Sequence, residues 1–323
     1  MRLMLLALIL CANTAFARTE PAESVAAPEE IVVSGERAGP RMWQISKGDH
    51  ILWVLGTPGP LPKKMNWRSD DLERAVQDSQ QVLAGFTVKP KINLFNALPL
   101  YLQYRRVIQL PDKQALQEWL APPLYERFSA LKAKYLPKEK DLERRRPLFV
   151  LQALGRSARD AAGLDNHVNV TAEVIRLADK HNVEVVRQTT RLDDPKEVLK
   201  EVSAMPKESE VSCFTAGLNT LESDVTAMKA RANAWSLGDV ATLRELQSQL
   251  KLNELRDACE EAISSAPTLK AALAQARATW LNTAMQALDK NSSTVALANM
   301  EELLRENGFL AQFRARGYKV EGP

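Results

Sequence analysis

Two short apolar runs give the clearest pattern in the chain: Met42-Trp43-Gln44-Ile45 and Ile51-Leu52-Trp53-Val54-Leu55. Lys47-Gly48-Asp49 separates them and predicts a turn, so the pair reads as a β-hairpin. The second run stops abruptly at Gly56-Thr57-Pro58-Gly59-Pro60. A strand that leaves through such a loop often places a functional group there. Here no acid, base or metal ligand follows.

Further along, Ser69 or Asp70 caps a helix whose apolar stripe is Leu72, Ala75 and Val76. Gln81-Val82-Leu83-Ala84 reads as a buried strand. From Leu98 to Ala162 the pattern is helical, with breaks at Pro99, Pro111, Pro122-Pro123, Pro137 and Pro147. Gly163-Leu164-Asp165-Asn166-His167 opens a second unit. Asp165 is expected to cap a helix carrying Val168, Ala172, Ile175 and Ala178, with a strand at Val183-Glu184-Val185-Val186. Leu218, Leu221, Val225, Met228, Ala232 and Trp235 mark one long amphipathic helix that Gly238 ends, and helices continue to about Leu288. The chain finishes as strand Val295-Ala296-Leu297, a helix over about Met300 to Arg316, and strand Tyr318 to Val320. The pattern predicts a helix-rich α/β (α+β) protein with few, short strands.

Composition sharpens the setting. Arg2, the apolar Leu3 to Leu10 and Ala15-Phe16-Ala17 read as a signal peptide over 1–17, cleaved to leave Arg18 first. The apolar run is too short for a stable membrane span. Cys11 is read as a removed signal residue, because the large Leu10 before it does not suit lipoprotein processing. Residues 18–40 are rich in Ala, Glu and Pro and read as a flexible leader. Residues 41–323 then form a single domain, in a protein expected in a bacterial periplasm or outside the cell. A formal net charge of +3 lends nucleic-acid binding no support. The run Arg144-Arg145-Arg146 beside Glu143 reads as a solvated helix face. Cys213 and Cys259 either pair in an oxidising compartment or sit as buried thiols; export favours the pair.

The frame resembles the TraB/GumN family, whose eukaryotic branch includes the Tiki metalloproteases. The resemblance rests on Leu52-Trp53-Val54-Leu55-Gly56-Thr57 and Thr294-Val295-Ala296-Leu297. It extends to Glu301-Glu302-Leu303-Leu304 and Leu310-Ala311-Gln312-Phe313-Arg314-Ala315-Arg316-Gly317-Tyr318-Lys319-Val320. It implies short mixed β-sheets from two related halves, about 41–162 and 163–323, flanked by helices in a Tiki, erythromycin-esterase or ChaN-like manner. Each half would give one strand-loop ligand set to a shared cleft. It also implies two His and acidic residues holding a divalent metal with a position open for water. Carried over residue by residue, those positions fall on Gly59, on Gly85 or its neighbour Ala84, near Thr189, and on Ala298-Asn299-Met300-Glu301. Only Glu301 keeps a ligand type, and the first turn of a helix is the stronger explanation of a carboxylate there.

The resemblance with these losses implies a non-catalytic homologue without a cofactor. It would bind a periplasmic peptide, protein or envelope component through a vestigial cleft at Gly56, Thr57, Gly59, Gly85, Thr189, Ala298 and Glu301. The alternative is a hydrolase with a rearranged Mn, Co or Zn site using Glu301, with His50 as the other candidate ligand. His50 reads as a hairpin-edge residue, His167 as a partner of the Asp165 cap, and His181 as a cation at a helix end. Trp67 and Arg277 are candidate contacts for a ligand or partner, against core packing for Trp67 and a surface role for Arg277.

Overall fold

The computed structural model describes residues 39–323 except 63–64, 66, 166–169, 223–224 and 250–251. The expected signal peptide, all but the end of the leader, Cys11 and His167 lie outside the described residues. The hairpin forms as its pattern predicts, with β1 (Met42–Lys47) antiparallel to β2 (His50–Thr57), Lys47 facing His50. The chain then runs through β3 (Leu61–Pro62), α1 (Asp70–Gln77), β4 (Gln81–Pro90) and α2 (Ala97–Val107). Next come α3 (Leu116–Trp119), α4 (Pro122–Tyr135), α5 (Pro147–Ala161), β5 (Leu164–Asp165) and α6 (Val170–Lys180). The second half continues with β6 (Glu184–Leu192), α7 (Pro195–Ser203), α8 (Lys207–Glu222) and α9 (Val225–Leu237). After these follow α10 (Val240–Gln249), α11 (Leu252–Ser264) and α12 (Pro267–Lys290). The end is β7 (Ser293–Asn299), α13 (Met300–Leu304), α14 (Phe309–Ala315) and β8 (Lys319–Glu321).

The main sheet is mixed and six-stranded, in the order β6-β4-β7-β2-β1-β8. Strands β6, β4, β7 and β2 are mutually parallel, whereas β1 pairs antiparallel with β2 and β8 antiparallel with β1. Thr294 to Ala298 of β7 are all buried, which is what a parallel strand covered on both faces shows. The cover comes from α12 on one side and from α1 and α6 on the other. Leu72, Ala75 and Val76 of α1 are buried as their spacing predicts. A second apolar core lies among α3, α4, α5 and α8, centred on Phe128, Leu154, Phe214 and Leu218. Prolines open α4 and α5, where a missing N–H costs nothing.

Several elements differ from the expected boundaries, each for a local reason. β4 and β6 run well past Ala84 and Val186 because they keep pairing with each other out to Pro90 and Leu192. Asp165 pairs through its backbone with Leu61, and α6 is described from Val170; the expected capping contact falls on residues 166–169, outside the described residues. The long amphipathic stretch is helical in α8 and in α9, on either side of residues 223–224, which lie outside the described residues; Gly238 ends it at φ +71°. The last helix is divided, into α13 and α14. The chain doubles back at Gly308, where a Cβ would lie 2.0 Å from the Glu302 carbonyl oxygen. Arg146 is not on a solvated face: it is buried at the start of α5 and donates its Nε to Glu210 Oε1 at 2.8 Å.

Cys213 of α8 and Cys259 of α11 form a disulfide with Cα atoms 4.6 Å apart. A crosslink of that sequence separation stabilises by roughly 3–4 kcal/mol in the chain-entropy description. No helix among the described residues is long and apolar enough to cross a membrane.

Candidate functional site

In open sheets with parallel strands, ligands meet the protein at the carboxyl edge of the strands. The register here places Gly56 beside Ala298 and Thr57 beside Asn299, so the two expected half-sites adjoin at that edge. Thr57 Oγ1 donates to the Ala298 carbonyl at 3.1 Å. Asn299 caps α13: its side chain accepts from the Glu301 backbone N–H at 2.7 Å. Glu301 therefore sits in the first turn of α13, where a carboxylate suits the helix dipole. Gly56 has no room for a side chain, since a Cβ would lie 2.6 Å from Met300 Cε. Its carbonyl accepts from Trp235 Nε1 at 2.8 Å.

Arg231 links the two halves, and the sequence reading did not single it out. It projects from α9 so that Nη1 lies 3.5 Å from where a Gly59 Cβ would be. Its Nη2 donates to Glu301 Oε1 at 3.1 Å. The Arg231 side chain is only 11% exposed, against 39% for Glu301. A guanidinium thus stands between the Gly59 loop and Glu301. The available signal was spacing: Arg231 adjoins the stripe of Met228, Ala232 and Trp235 on α9.

The remaining expected positions spread outward. Gly85 lies at an irregularity of β4 beside β7, and a Cβ there would meet the Leu297 carbonyl at 3.7 Å. Thr189 is on β6, the far strand, exposed, and shares a 3.1 Å hydrogen bond with Thr87. His50 stands at the opposite end of β2, roughly 20 Å from Thr57 by strand rise. Its Nδ1 lies 2.8 Å from the Leu288 carbonyl, so it cannot share an ion with Glu301. His181 lies just beyond α6 and meets Glu73 of α1 at 2.9 Å. Trp67 packs edge-on against Trp235 at 5.3 Å between ring centres, which ties it to the core behind Gly56. Arg277 is half-buried rather than freely solvated, and donates to Glu302 of α13 at 2.9 and 3.1 Å.

Before the site opens a cavity of about 410 Å³, within the size range of small-ligand pockets. Its walls are mostly apolar, with Leu148, Leu151, Leu221, Met228, Leu252 and Leu255 among them. The disulfide closes one side through Cys213. The polar groups facing it include Arg159, Arg231 and Glu301. Arg159 has no hydrogen bond or ion pair among the described residues, and burial pushes its pKa below the ordinary value, with Asp160 opposing.

A model of the TraB/PrgY/gumN family matches residues 41–322. The chain belongs to the TraB/PrgY/gumN family. No curated protein and no solved structure matches it. The described side chains do not supply the metal-ligand set that the family resemblance implies. Among the described residues no three His, Cys, Asp or Glu side chains converge on one point. Glu301, which follows the end of β7, is already paired with Arg231. No step through a metal is derived for this chain.

Proposed function

We propose that the protein is an exported, catalytically degenerate TraB/PrgY/gumN member that binds through the old cleft. Its ligand is a periplasmic peptide, protein segment or envelope component, placing an apolar group in the cavity and an anionic end toward Arg159. The observation that carries this reading is Arg231. A permanent cation fills the space between Gly59 and Glu301, where the family's chemistry needs an ion and its open coordination position. The disulfide is consistent with an oxidising compartment.

Calorimetry with Mn, Co or Zn on the exported protein tests the loss of metal chemistry. No stoichiometric binding is expected. Tight binding that disappears in Glu301→Ala would overturn the reading in favour of a rearranged metal hydrolase. The cavity itself is tested with anilinonaphthalene sulfonate, an apolar probe carrying one anion. Binding should weaken at least tenfold in both Arg159→Gln and Leu255→Trp. Equal binding by all three proteins removes the cleft as the ligand site.

A further inference from the structure

A second surface stands apart from the cleft. The chain leaves β4 at Pro90, turns, and enters α2 at Ala97. Across this passage Ile92, Leu94, Phe95, Leu98, Tyr101 and Leu102 are all exposed, Leu94 and Phe95 at 90%. Helix α2 already buries Leu100 and Val107 and packs on α7. Its outer face also carries the apolar Leu98, Tyr101 and Leu102 ahead of Arg105 and Arg106, and an apolar helix face is normally covered. Exposed apolar area this concentrated marks an interaction site rather than ordinary surface.

Charge distinguishes the possible covers. From Lys89 to Val107 the chain carries Lys89, Lys91, Arg105 and Arg106 and not one Asp or Glu. All four cations are exposed and rim the apolar residues in sequence; among the described residues only Lys91 has an acidic partner, Asp193 at 3.5 Å. A groove of about 400 Å³ continues the patch between α2 and α7. Pro90, Ile92, Leu100, Leu192, Val198 and Leu199 line it, and no charged side chain does. A protein partner of ordinary composition would bring polar groups that this groove cannot pair. Hydrocarbon beneath anionic headgroups matches both features. Apolar and aromatic side chains enter the acyl boundary while Lys and Arg meet the phosphates.

We infer that the face formed by residues 91–96 and α2 docks on an anionic phospholipid bilayer, with Leu94 and Phe95 entering below the headgroups. The attachment is peripheral and salt-sensitive. It does not depend on the cleft or on what the cleft binds.

Vesicle flotation of the exported full-length protein tests it, with phosphatidylglycerol-containing vesicles against pure phosphatidylcholine. The N-terminal sequence is common to every variant, so differences between variants report the patch alone. The protein should float with the anionic vesicles and bind phosphatidylcholine at least tenfold more weakly. Leu94→Glu/Phe95→Glu should abolish flotation with an unchanged melting temperature, since both side chains are solvent-exposed. Arg105→Gln/Arg106→Gln should weaken binding roughly thirtyfold, following about 1 kcal/mol for each cation near a charged surface. Failure of the unaltered protein to float, or equal flotation of Leu94→Glu/Phe95→Glu, overturns the inference. So does a dimer in sedimentation equilibrium that the same double variant renders monomeric, because a second copy would then cover the patch.

Discussion

Two arginine–glutamate pairs in this protein have the same chemistry and opposite surroundings. Arg146 and Glu210 are buried in the helical layer, Glu210 fully so. Arg231 and Glu301 stand at the mouth of a cavity with Glu301 partly in water. The first pair joins α5 to the start of α8, with Arg146 Nη2 also reaching the Met205 carbonyl. The second pair joins the two strand ends where a ligand would enter. Burial decides what each can do. A charge out of water must keep its partner, whereas a charge at a cleft mouth can exchange its partner for a ligand.

Breaking the buried pair should give the largest effect. Arg146→Met leaves Glu210 uncompensated and should cost about 3–5 kcal/mol of stability in denaturant titration. Arg146→Met/Glu210→Met should recover most of that loss, because the buried charge is gone. Burial already pushes the Glu210 carboxyl upward against the pull of Arg146. Without Arg146 only the upward push remains. A carboxyl whose folded pKa lies above its unfolded value is destabilised as pH rises through the folded value. The Arg146→Met penalty should therefore shrink in acid and grow toward neutral pH. A penalty equal in the single and double variants would show that the site needs packing volume there, not charge.

Breaking the cleft pair should barely change stability. A partly exposed ion pair contributes about 0–1 kcal/mol, so Arg231→Met should unfold within about 1 kcal/mol of the parent. Binding is where it should register. Removing Arg231 leaves Glu301 facing the cavity, and the anionic naphthalene probe should bind several-fold more weakly at unchanged stability. If Arg231→Met instead unfolds the protein as Arg146→Met does, the two pairs are equivalent staples and the contrast between them fails.

Neither pair was legible in the sequence, although much around them was. The hairpin, the α1 stripe, the closing strands and the Cys213–Cys259 pair follow from local spacing or from compartment. Arg146 stood in a run of three arginines that looks solvated, because its partner is distant in the sequence and only packing brings it near. Arg231 hid beside an apolar helical stripe for the same reason. The adjacency of the Gly59 loop and Ala298 was readable through the family resemblance, since it depends on which strands pair. The apolar face of α2 was in plain view as a composition, Ile92 to Tyr104. Only the fold shows that none of the described residues covers it, because helical sequence normally implies a buried face.

The smallest effect sets the exposed end of the series. Glu73 on α1 accepts from Lys180 Nζ at 2.5 Å and meets His181 Nε2 at 2.9 Å, joining α1 to the end of α6. Lys180 first, then His181, holds its carboxyl below the ordinary value of 4.5. A carboxyl lowered on folding contributes stability above its unfolded pKa, and loses it as pH falls through the folded value. Glu73→Gln should therefore lower the melting temperature slightly at neutral pH and leave it unchanged in strong acid. The difference between parent and variant should be present where Glu73 is ionised and vanish below its folded pKa. A melting difference that is flat across this range would mean that the contact joins the helices by packing alone, and that charge governs stability here only where it is buried.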